Sequence, residues 1–334
     1  MKRLFSTVCA LAIVLLMAGS KPAPAQPINL KLAIHVPPQH YASKVFEQWI
    51  DELAKRSGGR VKVTLYPGQS LGRIPDEWNM LKSGISNIGW ILPMYFPGTF
   101  PLADVSDLPY LMPEGKRDLS ILNGIFDRFL NKQFEEVKVL WPGWMGFPQL
   151  HTKKPVNKME DLKGMQIRCP PGPLLQSVEA LGATPVQIPS PEVYNALDRG
   201  IVEGCIIPWE GSKSFKFYEV VKYHTAIDIA CGMNVAAMNL KTWNSLPPDI
   251  QKIFQELSPW AQKVFIDAAN ADDENAISII RKAGNTIIYL SPQEKARWMQ
   301  ATKPVVDAWG AKINARGLPG TAIVEEMRRL AAKK

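Results

Sequence analysis

Twice in this chain, short apolar runs ending at proline or glycine alternate with amphipathic helical stretches, and that rhythm restricts the fold to α/β architectures. In the first run "INLKLAIHV" reads as a strand. "YASKVFEQWIDELAKRSGG" then sets Val45, Phe46, Trp49, Ile50 and Leu53 on one helical face and stops at Gly58 and Gly59. "RVKVTLYPG" is a second strand, "IPDEWNMLKSG" a helix and "ISNIGWIL" a third strand. The second run repeats the order with "GMQIRCP", "GPLLQSVEALG", "ATPVQIP", "SPEVYNALDRG" and "IVEGCIIPW", with Ser190 as N-cap and Pro191 at the first helical position. The two runs share no sequence, so what repeats is architecture. Each predicts a mostly parallel sheet covered by helices. Two such lobes in tandem leave a central cleft between the carboxyl ends of their strands, where ligands bind in open α/β sheets.

Beyond "MNVAAMNLKTWNSL" the chain turns helical. A run from about 248 to 282 is long enough to brace both lobes, and Pro259 is expected to kink it or break it in two. A short strand "NTIIYL" follows, and Ser291 with Glu294 stands in capping-box positions before the last helical stretch. The expected division is lobe I over 26–147 and about 236–282, and lobe II over 148–235 and about 283–334.

The first 25 residues carry two early cations, an apolar run from Val8 to Met17 and an Ala23-Pro24-Ala25 cleavage pattern, which read as a cleaved signal peptide. Removing Lys2, Arg3 and Lys21 leaves +5 of the formal +8, a mild excess scattered among acids without a basic stripe for nucleic acid. No other segment is long and apolar enough to span a membrane as a helix. Cys169, Cys205 and Cys231 are too few and too widely spaced for a disulfide framework or zinc set. Cys169 and Cys205 each belong to a predicted strand of one lobe, so one bridge is allowed, with free buried thiols favoured. The histidines His35, His40, His151 and His224 lack metal-ligand spacing, and neither metal nor cofactor is expected.

One catalytic pattern matches by letters. "GQSLG", Gly68–Gly72, has the form of a serine-hydrolase elbow. Pro67 precedes it, the next helix starts late and no oxyanion loop lies upstream, so a turn is the plainer reading. A secreted hydrolase using Ser70 with His151 or His224 stays as the alternative. Arg168 raises a different question, because it brings a cation to the end of an apolar strand and is followed at once by Cys169, Pro170, Pro171 and Gly172. Its planar fork suits a carboxylate, held by two parallel hydrogen bonds. An ordinary surface arginine is the plainer alternative there too.

The stretches "HVPPQHY", "SGGRVKVTLYPGQSLG", "PGTFPLADVSDLPYL", "KKPVNKMEDLKGMQIRCP" and "LGATPVQIPSPEVYNALDRGIVEGCIIP" resemble the solute-binding proteins of tripartite ATP-independent periplasmic (TRAP) transporters. The resemblance runs through nearly the whole mature chain. It implies a two-lobed periplasmic binding protein, not an enzyme, that captures an organic acid and delivers it to a two-subunit membrane permease driven by an ion gradient. It also makes Arg168 the residue that meets the ligand carboxylate. A sensor subunit built on the same scaffold is a further alternative.

Two departures from the family pattern matter. Many members have a second arginine just after a Gly-Phe pair, whereas Gly146-Phe147 is followed here by Pro148 and Gln149. Many also have Gln-Glu-Asn-Pro where this chain has Cys205-Ile206-Ile207-Pro208. Fewer polar groups imply a pocket for a monocarboxylate with an aromatic or apolar body. Trp90, Phe147, Ile207 and Trp209 are the expected walls, Tyr95 or Phe96 could add aromatic contacts, and His35 and Gln149 are candidates to satisfy a hydroxyl or keto oxygen.

Overall fold

The computed structural model describes residues 26–333, so the signal-peptide segment 1–25 lies outside the described residues. The first lobe begins with β1 (Ile28–Ala33), α1 (Tyr41–Arg56), β2 (Val61–Tyr66), α2 (Glu77–Ser83) and β3 (Ile88–Ile91). A loop-rich stretch containing α3 (Leu119–Ile125) leads to β4 (Val137–Trp144). The chain then crosses to the second lobe, with β5 (Pro148–Thr152), β6 (Gln166–Cys169), α4 (Pro173–Ala180), β7 (Thr184–Gln187), α5 (Val193–Asp198), β8 (Gly204–Pro208), α6 (Trp209–Ser214) and β9 (Tyr223–Ala226). It returns through β10 (Met233–Asn239), α7 (Leu240–Ser245) and α8 (Pro248–Lys282), and closes with β11 (Thr286–Tyr289), α9 (Pro292–Asn314) and α10 (Gly320–Ala331).

Both expected β-α-β-α-β runs form. The first sheet has the order β2-β1-β3-β10-β4 and the second β11-β9-β5-β8-β6-β7. In each, one strand runs against all the others: β10 in the first and β5 in the second. Those two are the strands that begin where the chain changes lobe. Because the other strands point their carboxyl ends at the cleft, a chain arriving on such a strand must leave down the next lobe in the opposite sense. The two crossings are tied together where Met145 N donates to Gly232 O at 2.7 Å.

Local chemistry sets the elements around this frame. The buried face of α1 contains Val45, Phe46, Trp49 and Leu53, and the His40 ring nitrogen caps Ala42 N at 3.1 Å. The turn that follows uses Gly58 and Gly59 at φ of 61° and 77°, which side chains rarely adopt. Helix α8 has 35 residues, roughly 52 Å at 1.5 Å per residue, and packs on both lobes. Pro259 lies inside it without dividing it, contrary to the alternative of a break, because packing on both sides outweighs the lost backbone bond. The Ser291 cap forms as expected, accepting from Glu294 N at 3.1 Å.

The assignment of 283–334 wholly to lobe II needs correction. Strand β11 and the start of α9 belong there, with Trp298 in the second lobe's core. Val306, Trp309 and Ile313 of the same helix, and Ile323, Val324 and Met327 of α10, pack into the first lobe's core. The chain thus ends back on lobe I. All three described cysteines are buried free thiols, although Cys205 sits opposite Arg168 on adjoining strands.

Candidate functional site

Between the lobes lies a cavity enclosing about 370 Å³ of non-protein space, the solvent at its mouth included. Lobe I contributes Met94, Tyr95, Asp107, Met145, Gly146 and Gly232 to its wall, and lobe II contributes Pro148, Arg168, Pro170, Leu174, Ser190, Ile206, Ile207 and Pro208. Most of this surface is apolar. Arg168 and Asp107 are its two ionisable exceptions apart from the Tyr95 phenol.

Arg168 sits on β6 between β7 and β8, and its side chain is almost wholly buried, at 1% exposure. Its Nε donates to Ile188 O at 2.7 Å and its Nη1 to Ile206 O at 3.3 Å. Nη2 donates to Ser190 Oγ at 3.1 Å and to Tyr95 Oη at 3.3 Å, and those two hydroxyls bond each other across the cleft at 2.9 Å. No carboxylate of the described residues pairs with it. Backbone carbonyls therefore hold the inner edge of the fork, and hydroxyls, which can rotate and exchange partners, stand at its outer edge. The sequence reading assigned Ser190 to a helix cap. Instead Ser190 opens a short 3-10 turn, Ser190–Glu192, without capping through its side chain, which goes to Arg168.

Of the expected site residues, the structure brings Arg168 and Ile207 to the cavity wall. The others are displaced from that wall. Trp90 is buried in lobe I among Phe46, Phe265 and His35, with the His35 ring stacked on it at 5.2 Å. His35 Nδ1 approaches Glu77 Oε1 at 3.4 Å without hydrogen-bond alignment, and its ring edge meets Tyr95 at 6.1 Å. Burial pushes the Glu77 carboxyl up. Phe147 packs into the lobe I core beneath the Arg117 guanidinium. Gln149 is saturated by protein: its amide nitrogen donates to Phe147 O and Asp228 Oδ1, while its oxygen accepts from Ile227 N and Asp228 N. It clamps the two crossings together.

Trp209 packs against His151 and His224, and its link to Ile207 runs through the His151 ring. His151 Nε2 donates to Ile207 O at 2.9 Å, which leaves its Nδ1 to accept from His224 Nδ1 at 2.6 Å. Burial holds His151 down at about 4 and His224 at about 2, the latter with a contribution from His151. Ser70, by contrast, is exposed in the turn after β2 of the other lobe. The serine-hydrolase reading therefore lacks its base, because both histidines are committed to lobe II partners.

Asp107, Tyr95, Ser190 and the two methionines were not among the expected site residues, except for Tyr95 as a secondary aromatic. Asp107 offers no local signal, being one of two acids in "ADVSDLPY". Burial, reinforced by nearby Asp104, pushes it up to about 8. At the junction itself, Arg117 pairs with Asp273 of α8 and donates to Met145 O at 2.8 Å. Burial pushes Glu210 well up there, with Asp273 nearby adding to the effect. Among the described residues no cluster of His, Cys, Asp and Glu is placed to hold a metal, and no helix is long and apolar enough to cross a membrane.

Residues 32–312 match the family model described as "Bacterial extracellular solute-binding protein, family 7". The C4-dicarboxylate-binding periplasmic protein DctP of Rhodobacter capsulatus is 26% identical over 315 residues, covering 91% of this chain and 93% of that one. A TRAP solute-binding protein from Rhodoferax ferrireducens, solved with copurified benzoate, superposes with a TM-score of 0.86 at 29% identity, over 92% of this chain and 98% of that one. A marine-metagenome TRAP protein specific for aromatic acid ligands, solved with 3-hydroxybenzoate, gives 0.86 at 27% identity, over 92% and 99%. With two α/β lobes around one cavity and a family match over most of its length, the chain belongs to family 7 of the bacterial extracellular solute-binding proteins, as a TRAP periplasmic solute-binding protein that serves membrane permease components.

Proposed function

We propose that this protein captures a monocarboxylate with an aromatic or apolar body through Arg168 and delivers it to an ion-driven TRAP permease. One observation carries the reading: a buried guanidinium without a carboxylate partner lies on the wall of a largely apolar cavity between the lobes. A buried charge needs compensation, and a ligand carboxylate supplies it where backbone carbonyls and hydroxyls do so only partly. Tyr95 and Ser190 then follow Arg168 onto the ligand, so that capture and lobe closure draw on the same groups. The benzoate and 3-hydroxybenzoate bound by the two relatives support an aromatic body, and Met94, Met145, Leu174 and Ile207 suit one. Trp90 and His35 act at one remove, backing Tyr95. Phe147 and Gln149 set the crossing, and Trp209 supports the His151 ring that bonds Ile207 O. The export signal in 1–25 brings the chain to the periplasm.

The test is a thermal-shift screen of the exported chain against benzoate, 3-hydroxybenzoate, succinate and glucuronate, with Arg168→Ala in parallel. Ligand at a hundredfold its Kd stabilises by about 2.7 kcal/mol. Aromatic acids should raise Tm for the wild type and leave the variant unmoved. A response to succinate or glucuronate alone defeats the apolar-pocket reading, and equal response of the variant removes Arg168 from the site.

A further inference from the structure

The cavity contains a second buried charge-bearing group, from the lobe opposite Arg168. Asp107 ends the 3-10 turn Ala103–Asp107 and is 3% exposed. Its position is fixed through its neighbour, since Ser106 O accepts from Cys231 N at 3.3 Å and Ser106 Oγ accepts from Met233 N at 3.2 Å. The turn is thereby fastened to the second crossing between the lobes. Ser106 Oγ gives its own proton best to Ala103 O at 2.9 Å, so its 3.4 Å approach to Asp107 Oδ2 is a weak contact. Among the described residues Asp107 Oδ1 has no hydrogen-bond partner. Gly232 borders that oxygen, and a Cβ there would come within 2.9 Å of it, so the residue without a side chain keeps the approach open. Met94 and Met145 flank the same spot without offering a strong donor.

A buried oxygen without a partner is a standing penalty in a folded protein and is rarely left so without a use. We infer that Asp107 sets ligand specificity by hydrogen-bonding a neutral polar substituent, a hydroxyl, on the ligand's body, away from the carboxylate that Arg168 holds. The inference rests on the aromatic-monocarboxylate reading above and narrows it to hydroxylated acids. A carboxyl kept protonated by burial can also give a proton to that hydroxyl and does not attract a cation. A second carboxylate at the same place would be buried against a single carboxyl proton with no compensating cation, so dicarboxylates are disfavoured at this end of the cavity.

Isothermal titration of the exported chain with 3-hydroxybenzoate, 4-hydroxybenzoate, their methyl counterparts and benzoate tests this. One hydroxybenzoate should bind the wild type about tenfold more tightly than the methyl acid of the same substitution. Asp107→Leu should erase that preference and keep the methylbenzoate affinity, while Asp107→Asn, which still offers an acceptor, should keep most of the preference. Equal affinity for hydroxyl and methyl acids in the wild type overturns the inference and leaves the aromatic reading intact. A parallel loss for both acids in Asp107→Leu also overturns it. Tighter binding of 3-(aminomethyl)benzoate than of either hydroxy acid overturns it in favour of an ionised Asp107. If no benzoate binds, the aromatic reading fails and this inference goes with it. Should Asp107→Leu not fold, the wild-type preference and the Asn variant decide.

Discussion

The two walls of the cleft are built on opposite principles. Lobe II presents Arg168 from within a sheet, with two backbone carbonyls fixing the guanidinium. Lobe I presents Met94, Tyr95, Met145 and Asp107 from turns and a crossing segment, and its large aromatic cluster around Trp90, Phe46 and Phe265 lies behind them. On the proposed function, a rigid charge on one side and an adaptable cover on the other would divide the work: the first would fix where the carboxylate goes, and the second would adjust to what it carries. Burial moves titratable groups in both directions in both lobes: lobe I holds Asp107 up and His40 down, and lobe II holds Glu210 up and His151 and His224 down.

Exchanging one residue from each lobe should separate anchor from support. Arg168→Ala should weaken ligand binding by about 3–5 kcal/mol, because a buried carboxylate is left unpaired, while changing unfolding stability much less. Trp90→Ala should do the reverse, removing about 3–5 kcal/mol of stability in a urea titration and leaving Kd within a few fold. If Trp90→Ala abolishes binding in protein that is still folded, the tryptophan belongs to the ligand site after all and the division between the lobes is wrong.

The pH dependence should differ in sign between His151 and Asp107. His151 folds with its basicity lowered to about 4 from an unfolded value of about 6.5, so its contribution is complete above pH 6.5 and is lost as pH falls toward 4. Asp107 folds with its pKa raised to about 8 from about 3.8 unfolded, so folding loses stability as pH rises from 4 toward 8. Asp107→Asn should therefore raise Tm by about 2–4 °C at pH 8 and by little at pH 5. His151→Gln should flatten the acid side of the profile and leave the alkaline side alone. A calorimetric series from pH 5 to 8 measures both, and matching profiles for the two variants would remove the contrast.

At the mouth of the cleft Arg73 of lobe I pairs with Glu192 of lobe II at 2.6 Å, with both side chains largely in solvent. Such pairs contribute about 0–1 kcal/mol and are screened by salt. Arg73→Ala should weaken ligand affinity by no more than a few fold, and the difference should vanish at high ionic strength. A larger, salt-independent loss would make this pair a true latch.

Much of the frame was legible locally. The α1 stripe from Val45 to Leu53, the stop at Gly58 and Gly59 and the Ser291 cap depend on residues within a turn or two of each other. The strands that cross between lobes were not legible: β5 and β10 are buried along their whole length and lack the alternation of a half-exposed strand, and, unlike the equally buried β3 and β8, neither follows a helix in a β-α-β run. Ser190 shows the same limit at one residue: its type and position fit a cap, and a guanidinium 22 residues away took its side chain.

By itself the sequence determined two α/β units, a long bracing helix, an arginine at a strand end and a family pattern with two polar positions replaced by apolar ones. Those features follow from periodicity and residue type, which act over a few positions. Only the tertiary structure decided that Arg168 meets Tyr95 across 73 residues, that Gln149 is spent on Asp228 across 79, and that Trp90 and His35 lie behind the wall and not on it. Such meetings depend on the register of the sheets and on how two lobes close over one another. That geometry comes from packing summed over both cores, and no short segment encodes it.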